Sequence, residues 1–353
     1  MSHDLPDIAA ALVARGKGLL AADETPATLK RRFDTVGVPS TEETRRTYRD
    51  MLLTTPGVSE FIGGVILQDE TIHQQGSDGR PFAKMVSDQG MIPGIKVDAG
   101  AKPLAGSPKE TVTEGLDGLR ERLAAYRDLG ARFAKWRGVI HIGDGLPTRM
   151  CIVANAHALA RYAALCQEQG LVPIVEPEVL MDGDHTIERC EEVTSEVLRV
   201  VFAALEVQGV ALEGMLLKPN MVVAGVDCPV QPDVDEVAFA TLRCLRRRVP
   251  AAVPGIVFLS GGQTSRLATA HLNAINRLPG SKPWAISFSF GRALQDDALH
   301  AWRGREDGVH EGRQAYAQRA RLNNAAALGK YTDESEETLF TAGANPRREL
   351  HDD

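Results

Sequence analysis

The stretch Met215-Leu216-Leu217-Lys218-Pro219-Asn220-Met221-Val222-Val223 sets a single lysine inside an apolar run of the kind that lies buried in a sheet. The stem of a lysine can cross apolar surroundings, but desolvation disfavours the ammonium form. A buried lysine therefore tends to shed its proton and become a nucleophilic amine suited to Schiff-base chemistry. The plainer reading is a lysine whose head reaches water at a strand end. What the rest of the chain brings to the same place decides between the two.

Outward from Lys218 the chain repeats one unit, a short β-like run ending in polar residues and then a longer helical segment. Before it come Gly18–Ala22 ending at Asp23-Glu24, Gly64–Leu67 ending at Gln68-Asp69-Glu70, and Pro93–Val97 ending at Asp98. Ala131–Ala134 follows, ending at Lys135-Trp136-Arg137, and then Val172–Val175, ending at Glu176-Pro177-Glu178. After it come Gly255–Leu259, ending at Ser260-Gly261-Gly262, and Trp284–Ser289, ending at Phe290-Gly291-Arg292. Helices are predicted over about Thr41–Leu53, Thr111–Leu129, Cys151–Gln169, Ile187–Val207, Val234–Arg248 and Arg266–Leu278. Strands alternating with helices argue for a parallel sheet, and eight such runs fit one closed (β/α)8 TIM barrel better than an open sheet.

Composition agrees with one large α/β unit. The 353 residues are 43% hydrophobic and 25% charged, which points to neither disorder nor a membrane protein. Lys and Arg number 40 against 47 Asp and Glu, so a net charge of −7 gives no general support for binding nucleic acid. The start, Met1-Ser2-His3-Asp4-Leu5, lacks a basic segment followed by an apolar core, so the expectation is a cytoplasmic protein with no membrane partner. Cys151, Cys166, Cys190, Cys228 and Cys244 are odd in number, widely spaced and free of any CxxC pair, and read as reduced packing residues.

Barrels of this kind carry their reacting groups at the carboxyl ends of the strands. Asp23, Lys135, Glu176, Lys218, Ser260 and Arg292 all fall at that end of their runs. Together they suit an imine mechanism. Lys218 attacks a ketone, and Lys135 lowers its proton affinity by like-charge repulsion. Glu176 and Glu178 move protons around carbinolamine formation, their two pKa values pushed apart by burial and proximity. Asp23 handles a hydroxyl proton as a carbon-carbon bond breaks beside the imine. Taken singly, Lys135 reads equally well as the partner of a neighbouring carboxylate, and the two glutamates as rim ion pairs. The second half of the site suits phosphate. Ser260-Gly261-Gly262 stands just before a helix predicted near Ser265, and Gly291 and Arg292 end the eighth run, a recurrent place for phosphate in barrels. Lys135 and Arg137 are candidates for a second phosphate or for polarising substrate oxygens.

Several stretches resemble the motifs of class I fructose-1,6-bisphosphate aldolase: Leu20-Ala21-Ala22-Asp23-Glu24, Ala134-Lys135-Trp136-Arg137, Val175-Glu176-Pro177-Glu178, Leu216-Leu217-Lys218-Pro219-Asn220-Met221, Leu259-Ser260-Gly261-Gly262-Gln263 and Ser287-Phe288-Ser289-Phe290-Gly291-Arg292-Ala293-Leu294. Asp78-Gly79-Arg80-Pro81-Phe82, Asp182-Gly183-Asp184-His185 and Leu272-Asn273-Ala274-Ile275-Asn276 extend the match, which runs from about Leu19 to Tyr331. The resemblance implies a Schiff base on Lys218, acid and base work by Glu176, proton acceptance by Asp23 during cleavage between carbons 3 and 4, and assistance from Lys135. It implies that Ser260, Gly261, Gly291 and Arg292 hold the phosphate on carbon 1, with Glu178 in the same charge network; Gly262 and Ser289 are further candidates for substrate or phosphate binding. It further implies a homotetramer acting on sugar phosphates in glycolysis and gluconeogenesis, with no metal and no cofactor. Departures are Ala99, with Lys102 nearby, where many animal members have a lysine, Thr25 and Thr28 where serines are common, and Phe290 for a frequent tyrosine. The expected organisation is a catalytic barrel over 1–331 and a mobile polar tail over 332–353, which lacks the terminal tyrosine of animal enzymes.

Three other readings stand beside this one. A metal-dependent aldolase requires clustered ligands, and the nine histidines form no HxH or HxxxH set at strand ends. A barrel that binds sugar phosphates without turnover is disfavoured by the intact Asp23, Lys135, Glu176 and Lys218. A Schiff-base aldolase with a different acceptor remains open through Ala99.

Overall fold

The computed structural model describes residues 5–332 and 334–336; of the tail expected over 332–353, only Thr332 and 334–336 are described, with Glu336 buried and paired to Arg319, and the rest lies outside. Eight parallel strands close a barrel in the order β1-β10-β9-β8-β7-β6-β3-β2. They are β1 (Gly18–Ala21), β2 (Ile62–Leu67), β3 (Ile92–Lys96), β6 (Phe133–Ile140), β7 (Val172–Val179), β8 (Leu216–Leu217), β9 (Gly255–Phe258) and β10 (Ala285–Phe290), while β4 (Ala101–Leu104) and β5 (Ser107–Thr113) form a separate antiparallel hairpin. The helices in chain order are α1 (Leu5–Leu12), α2 (Pro26–Asp34), α3 (Glu42–Leu53), α4 (Asp69–Ile72), α5 (Phe82–Asp88), α6 (Leu119–Asp128), α7 (Arg149–Glu168), α8 (Ile187–Val207), α9 (Val234–Arg248), α10 (Ser265–Arg277), α11 (Arg292–Trp302) and α12 (Val309–Ala327).

Strand side chains alternate between the barrel interior and the helix layer. Leu19, Ala21, Ile66, Phe133, Val172, Ile174, Leu216 and Val257 form one inner apolar cluster, and α1 joins it through Ile8, Ala9 and Leu12. The helix therefore plugs the barrel's amino-terminal end: Gly63 and Gly64 of β2 lie so close to Leu12 that a Cβ on either would press into it. The same inward parity, carried toward the carboxyl end, reaches Asp23, Lys96, Lys135, Glu176 and Lys218. Phe288 and Phe290 take the opposite face of β10 and pack in the outer core, their rings 5.5 Å apart.

Two expectations need correction. Residues 111–118 are not helical. Thr111-Val112-Thr113 is β-branched and ends β5, and Gly115 (φ +124°) and Gly118 (φ +64°) hold left-handed backbone that stops a helix from starting before Leu119. Strands β6 and β7 are also longer than expected, eight residues each, because their charged residues point inward and do not end the strand. Lys135, Arg137, Glu176 and Glu178 thus sit within the barrel wall, with Arg137 beside Glu176 across the ladder. All five cysteines are buried and form no disulfide. Among the described residues no helix is long and apolar enough to cross a membrane.

The interior is filled tightly enough to test. A methyl group on Gly94 of β3 would overlap the Phe133 ring inside the barrel. Gly94→Ala is expected to lower stability by about 1–3 kcal/mol, read as a reduced urea midpoint. An unchanged midpoint would mean that the ring has room to move aside.

Candidate active site

The candidate reactive side chains are delivered by four strands. Asp23 follows β1 by two residues, Lys135 and Arg137 come from β6, Glu176 and Glu178 from β7, and Lys218 immediately follows β8. The barrel brings four of them into one chain of ion pairs. Lys135 Nζ lies 2.6 Å from Asp23 Oδ2 and 3.1 Å from Glu176 Oε2, and Lys218 Nζ lies 3.1 Å from Glu176 Oε1. Lys135, Glu176 and Lys218 are only 3%, 3% and 4% exposed, so the expected strand-end lysine reaching water is not what the fold builds. The like-charge contact expected between the two lysines is instead bridged by Glu176, one oxygen to each ammonium. Glu176 Oε2 is in ion-pair range of Lys135 but accepts no aligned hydrogen bond, which leaves it open to a proton from elsewhere.

Charge fixes the protonation of this chain. Burial works to raise the Asp23 carboxyl, but Lys135 and then Lys218 outweigh it and hold it well below the ordinary carboxylate range. Glu176 is lowered in the same way, burial being overcome by Lys135, Lys218 and Arg137. Burial works against the Lys135 ammonium, yet Asp23, Glu176 and Asp98 raise its pKa strongly, so it stays charged. Glu178 stands apart from these lysines, ion-paired to Arg137 Nε. The Arg137 backbone N–H donates to Asp98 Oδ2 at 3.3 Å, and Asp98 also pairs with Lys96. The two glutamates are therefore divided between separate cations.

The phosphate candidates meet on the other side of the mouth. Gly261 (φ +54°) and Gly262 (φ +95°) turn the loop after β9 with left-handed backbone, and a Cβ on Gly262 would stand 3.4 Å from the Arg292 guanidinium. Gly291 precedes α11 and gives no side chain to cap it, so the first N–H groups of that helix remain available to an anion. Ser260 is buried beside this loop. Ser289 is also buried, and its hydroxyl has no hydrogen-bond partner among the described residues. Asp23, Gly291 and Arg292 line one cavity of about 680 Å³ with Thr28, Arg31 and His300. Lys102, by contrast, is exposed on the β4–β5 hairpin and is not part of that lining.

Sequence reasoning missed Thr28 and Arg31 as cavity residues. The signal was present in Thr25-Pro26, a helix start: Thr25 caps α2 by accepting from the Thr28 N–H, with Pro26 in the first turn. That start turns the first face of α2 toward the mouth. Among the described residues no group of three or more His, Cys, Asp and Glu is arranged to hold a metal ion.

The comparisons with known proteins agree with this geometry. Residues 4–345 match the family model described as glycolytic, fructose-bisphosphate aldolase class-I. A probable fructose-bisphosphate aldolase class 1 of Xanthomonas campestris pv. campestris is 58% identical over 330 residues, covering 93% of this chain and 98% of its own. Human fructose-bisphosphate aldolase C is 51% identical over 335 residues, 95% of this chain and 92% of its own. The fold superposes at a TM-score of 0.91 on a fructose-bisphosphate aldolase from Plasmodium falciparum, solved in complex with TRAP and a small-molecule inhibitor, at 49% identity and covering 93% and 95% of the two chains.

One buried group ties the glycine loop to acid stability. His271 of α10 places Nδ1 2.6 Å from Gln263 Oε1, next to Gly262, and burial lowers its pKa from 6.5 to about 4. The unfolded histidine takes a proton below about pH 6.5 while the folded one stays neutral until about pH 4, so acidification through that window favours the unfolded chain. The shift corresponds to about 3 kcal/mol lost by pH 4. In His271→Gln the melting temperature is expected to fall less steeply than in wild type between these pH values, and equal slopes would remove His271 as a source of the acid sensitivity.

Proposed function

The chain belongs to the class I fructose-bisphosphate aldolase family, and from that premise we propose how its residues divide the work of the family's reaction. That reaction is the reversible cleavage of fructose 1,6-bisphosphate to dihydroxyacetone phosphate and glyceraldehyde 3-phosphate through a lysine Schiff base, a metal-independent lyase step of glycolysis and gluconeogenesis. The observation that carries the assignment is Glu176 set between Lys218 and Lys135 in a nearly dry barrel.

Lys218 passes one proton to Glu176, 3.1 Å away, and the resulting free amine attacks the ketone carbon. A second nitrogen proton moves to the new alkoxide to give the carbinolamine hydroxyl, and Glu176 returns its proton to that hydroxyl as water departs, leaving the protonated imine. The protonated imine then draws the electrons of the bond between carbons 3 and 4. Asp23 accepts the proton of the hydroxyl on carbon 4 as the aldehyde leaves, and the enamine left behind is protonated and hydrolysed to release the ketone. Lys135 keeps Asp23 in the ionised form that can accept. Glu178 and Arg137 close the charge network on the adjacent wall. Ser260, Gly261, Gly262, Ser289, Gly291 and Arg292 hold the phosphate on carbon 1, supported by the two glycine turns and the uncapped start of α11. Thr28 and Arg31, across the same cavity, suit the far end of the substrate.

We place the enzyme in the cytoplasm as a homotetramer, a reading supported by the family and by exposed apolar side chains such as Val207, Val226, Val230 and Phe239. Light scattering is expected to report four chains per particle, and a monomer at micromolar concentration would overturn this.

Borohydride with dihydroxyacetone phosphate should fix a stable secondary amine on Lys218, located by peptide mass mapping. Lys218→Met should lower cleavage roughly a thousandfold or more while the fold remains. An adduct on another lysine, or wild-type activity in the variant, would remove Lys218 as the nucleophile. A chelator should leave cleavage unchanged. Activity lost to it and restored by a divalent cation would point to a different mechanism.

A further inference from the structure

The carbonyl of Ala21 sits at the barrel's closing seam. The ladder between β1 and β10 ends at the pair Leu20 and Phe290, so no strand partner remains for that carbonyl on the β10 side. Chain direction changes there, as Gly291 leaves the strand to begin α11. The Ala21 oxygen instead accepts from Gln295 Nε2 at 2.7 Å. Gln295 is fully buried on the first turn of α11, and its backbone N–H donates to the Gly291 carbonyl at 3.1 Å. A side-chain amide thus replaces a ladder hydrogen bond, two residues before Asp23.

The amide has no freedom to turn away. Its Oε1 accepts from the Tyr48 hydroxyl at 3.2 Å and from Arg32 Nη1 at 3.4 Å. The Tyr48 ring is wedged between Phe33 and Trp302, with centroids 5.4 and 5.3 Å away. Arg32 reaches on to the Glu24 carboxylate, which Arg49 grips at 2.8 Å from the other side. Residues on both flanks of Asp23 are therefore held, Ala21 by buried Gln295 and Glu24 by buried Arg49 and half-buried Arg32. None of these groups touches a reacting atom in the mechanism above.

We propose that Gln295 is a positioning residue for carbon-carbon cleavage, holding the Asp23 carboxylate in register with the Gly291–Arg292 phosphate cradle across the barrel seam. The two halves of the site come from opposite ends of the chain, and the Gln295 amide extends the hydrogen bonding between them past the last ladder pair. A displacement of this kind acts on one step. Attack by Lys218 and dehydration by Glu176 depend on β7 and β8, on the far side of the barrel, whereas proton acceptance by Asp23 depends on where β1 ends.

The proposal rests on Asp23 as the proton acceptor, and the experiment separates the two. Gln295→Met removes the amide, and Gln295→Glu keeps the acceptor for Tyr48 and Arg32 while removing the donor to Ala21. Each is compared with wild type and with Asp23→Asn for fructose 1,6-bisphosphate cleavage and for the rate of borohydride trapping of dihydroxyacetone phosphate on Lys218. The expected result is kcat for cleavage down by about tenfold to a hundredfold in both Gln295 variants, with trapping within about twofold of wild type. Cleavage at the wild-type level in a folded Gln295 variant, or cleavage and trapping falling together, would overturn the positioning role. If Gln295→Met does not fold, Gln295→Glu carries the same two readings. Asp23→Asn retaining cleavage would overturn the acceptor assignment itself, independently of Gln295.

Discussion

Two ammonium groups and one carboxylate share a space from which water is almost excluded, and the functional half of the barrel depends on that balance. A lone charge buried this deeply would cost several kcal/mol, and a carboxylate without a partner would take up a proton. Glu176 answers both demands by giving one oxygen to Lys135 and the other to Lys218. Asp23 then balances Lys135 on its open side. Such a chain is poorly suited to adding stability, since buried ion pairs rarely exceed their desolvation cost. It is well suited to moving protons over short distances without solvent.

The barrel makes this arrangement affordable in space. Lower layers of the interior are aliphatic and aromatic and are closed from beneath by α1, so the charged layer rests on a dry floor. Higher up, glycines at 261, 262 and 291 leave out side chains that would crowd Leu259, Met181 and the Ala21 carbonyl. Polarity rises along the barrel axis, from Phe133 through Lys135 to Arg137 on one strand alone.

Much of this was legible in the sequence, for identifiable reasons. All eight barrel strands and the helices at 187–207 and 234–248 follow from apolar runs and clear stops. The reactive set was visible because a lysine at 218 and a glutamate at 176 are conspicuous in apolar surroundings. Less legible were features set by tertiary context. The hairpin at 101–113 is mostly exposed and polar, and its period of two is too short to outweigh a helical reading of the residues that follow. Lys135 looked like the end of a strand because a charged residue usually is one; only the closed barrel gives it an interior partner. The link from Gln295 to Ala21 joins residues far apart in the chain, and no local pattern marks it.

The seam where β1 meets β10 also orders events in time. A chain emerging from the ribosome presents β1 at the start and β10 near the end, and the pairing of Leu19 with Ser289 closes one of the longest loops in the molecule. Until that loop closes, β1 has an unpaired edge, and Asp23 lacks the neighbours that arrive with α11. Lys218 is synthesised well before that moment. The residue proposed as nucleophile is therefore synthesised before the strand that closes the seam beside Asp23.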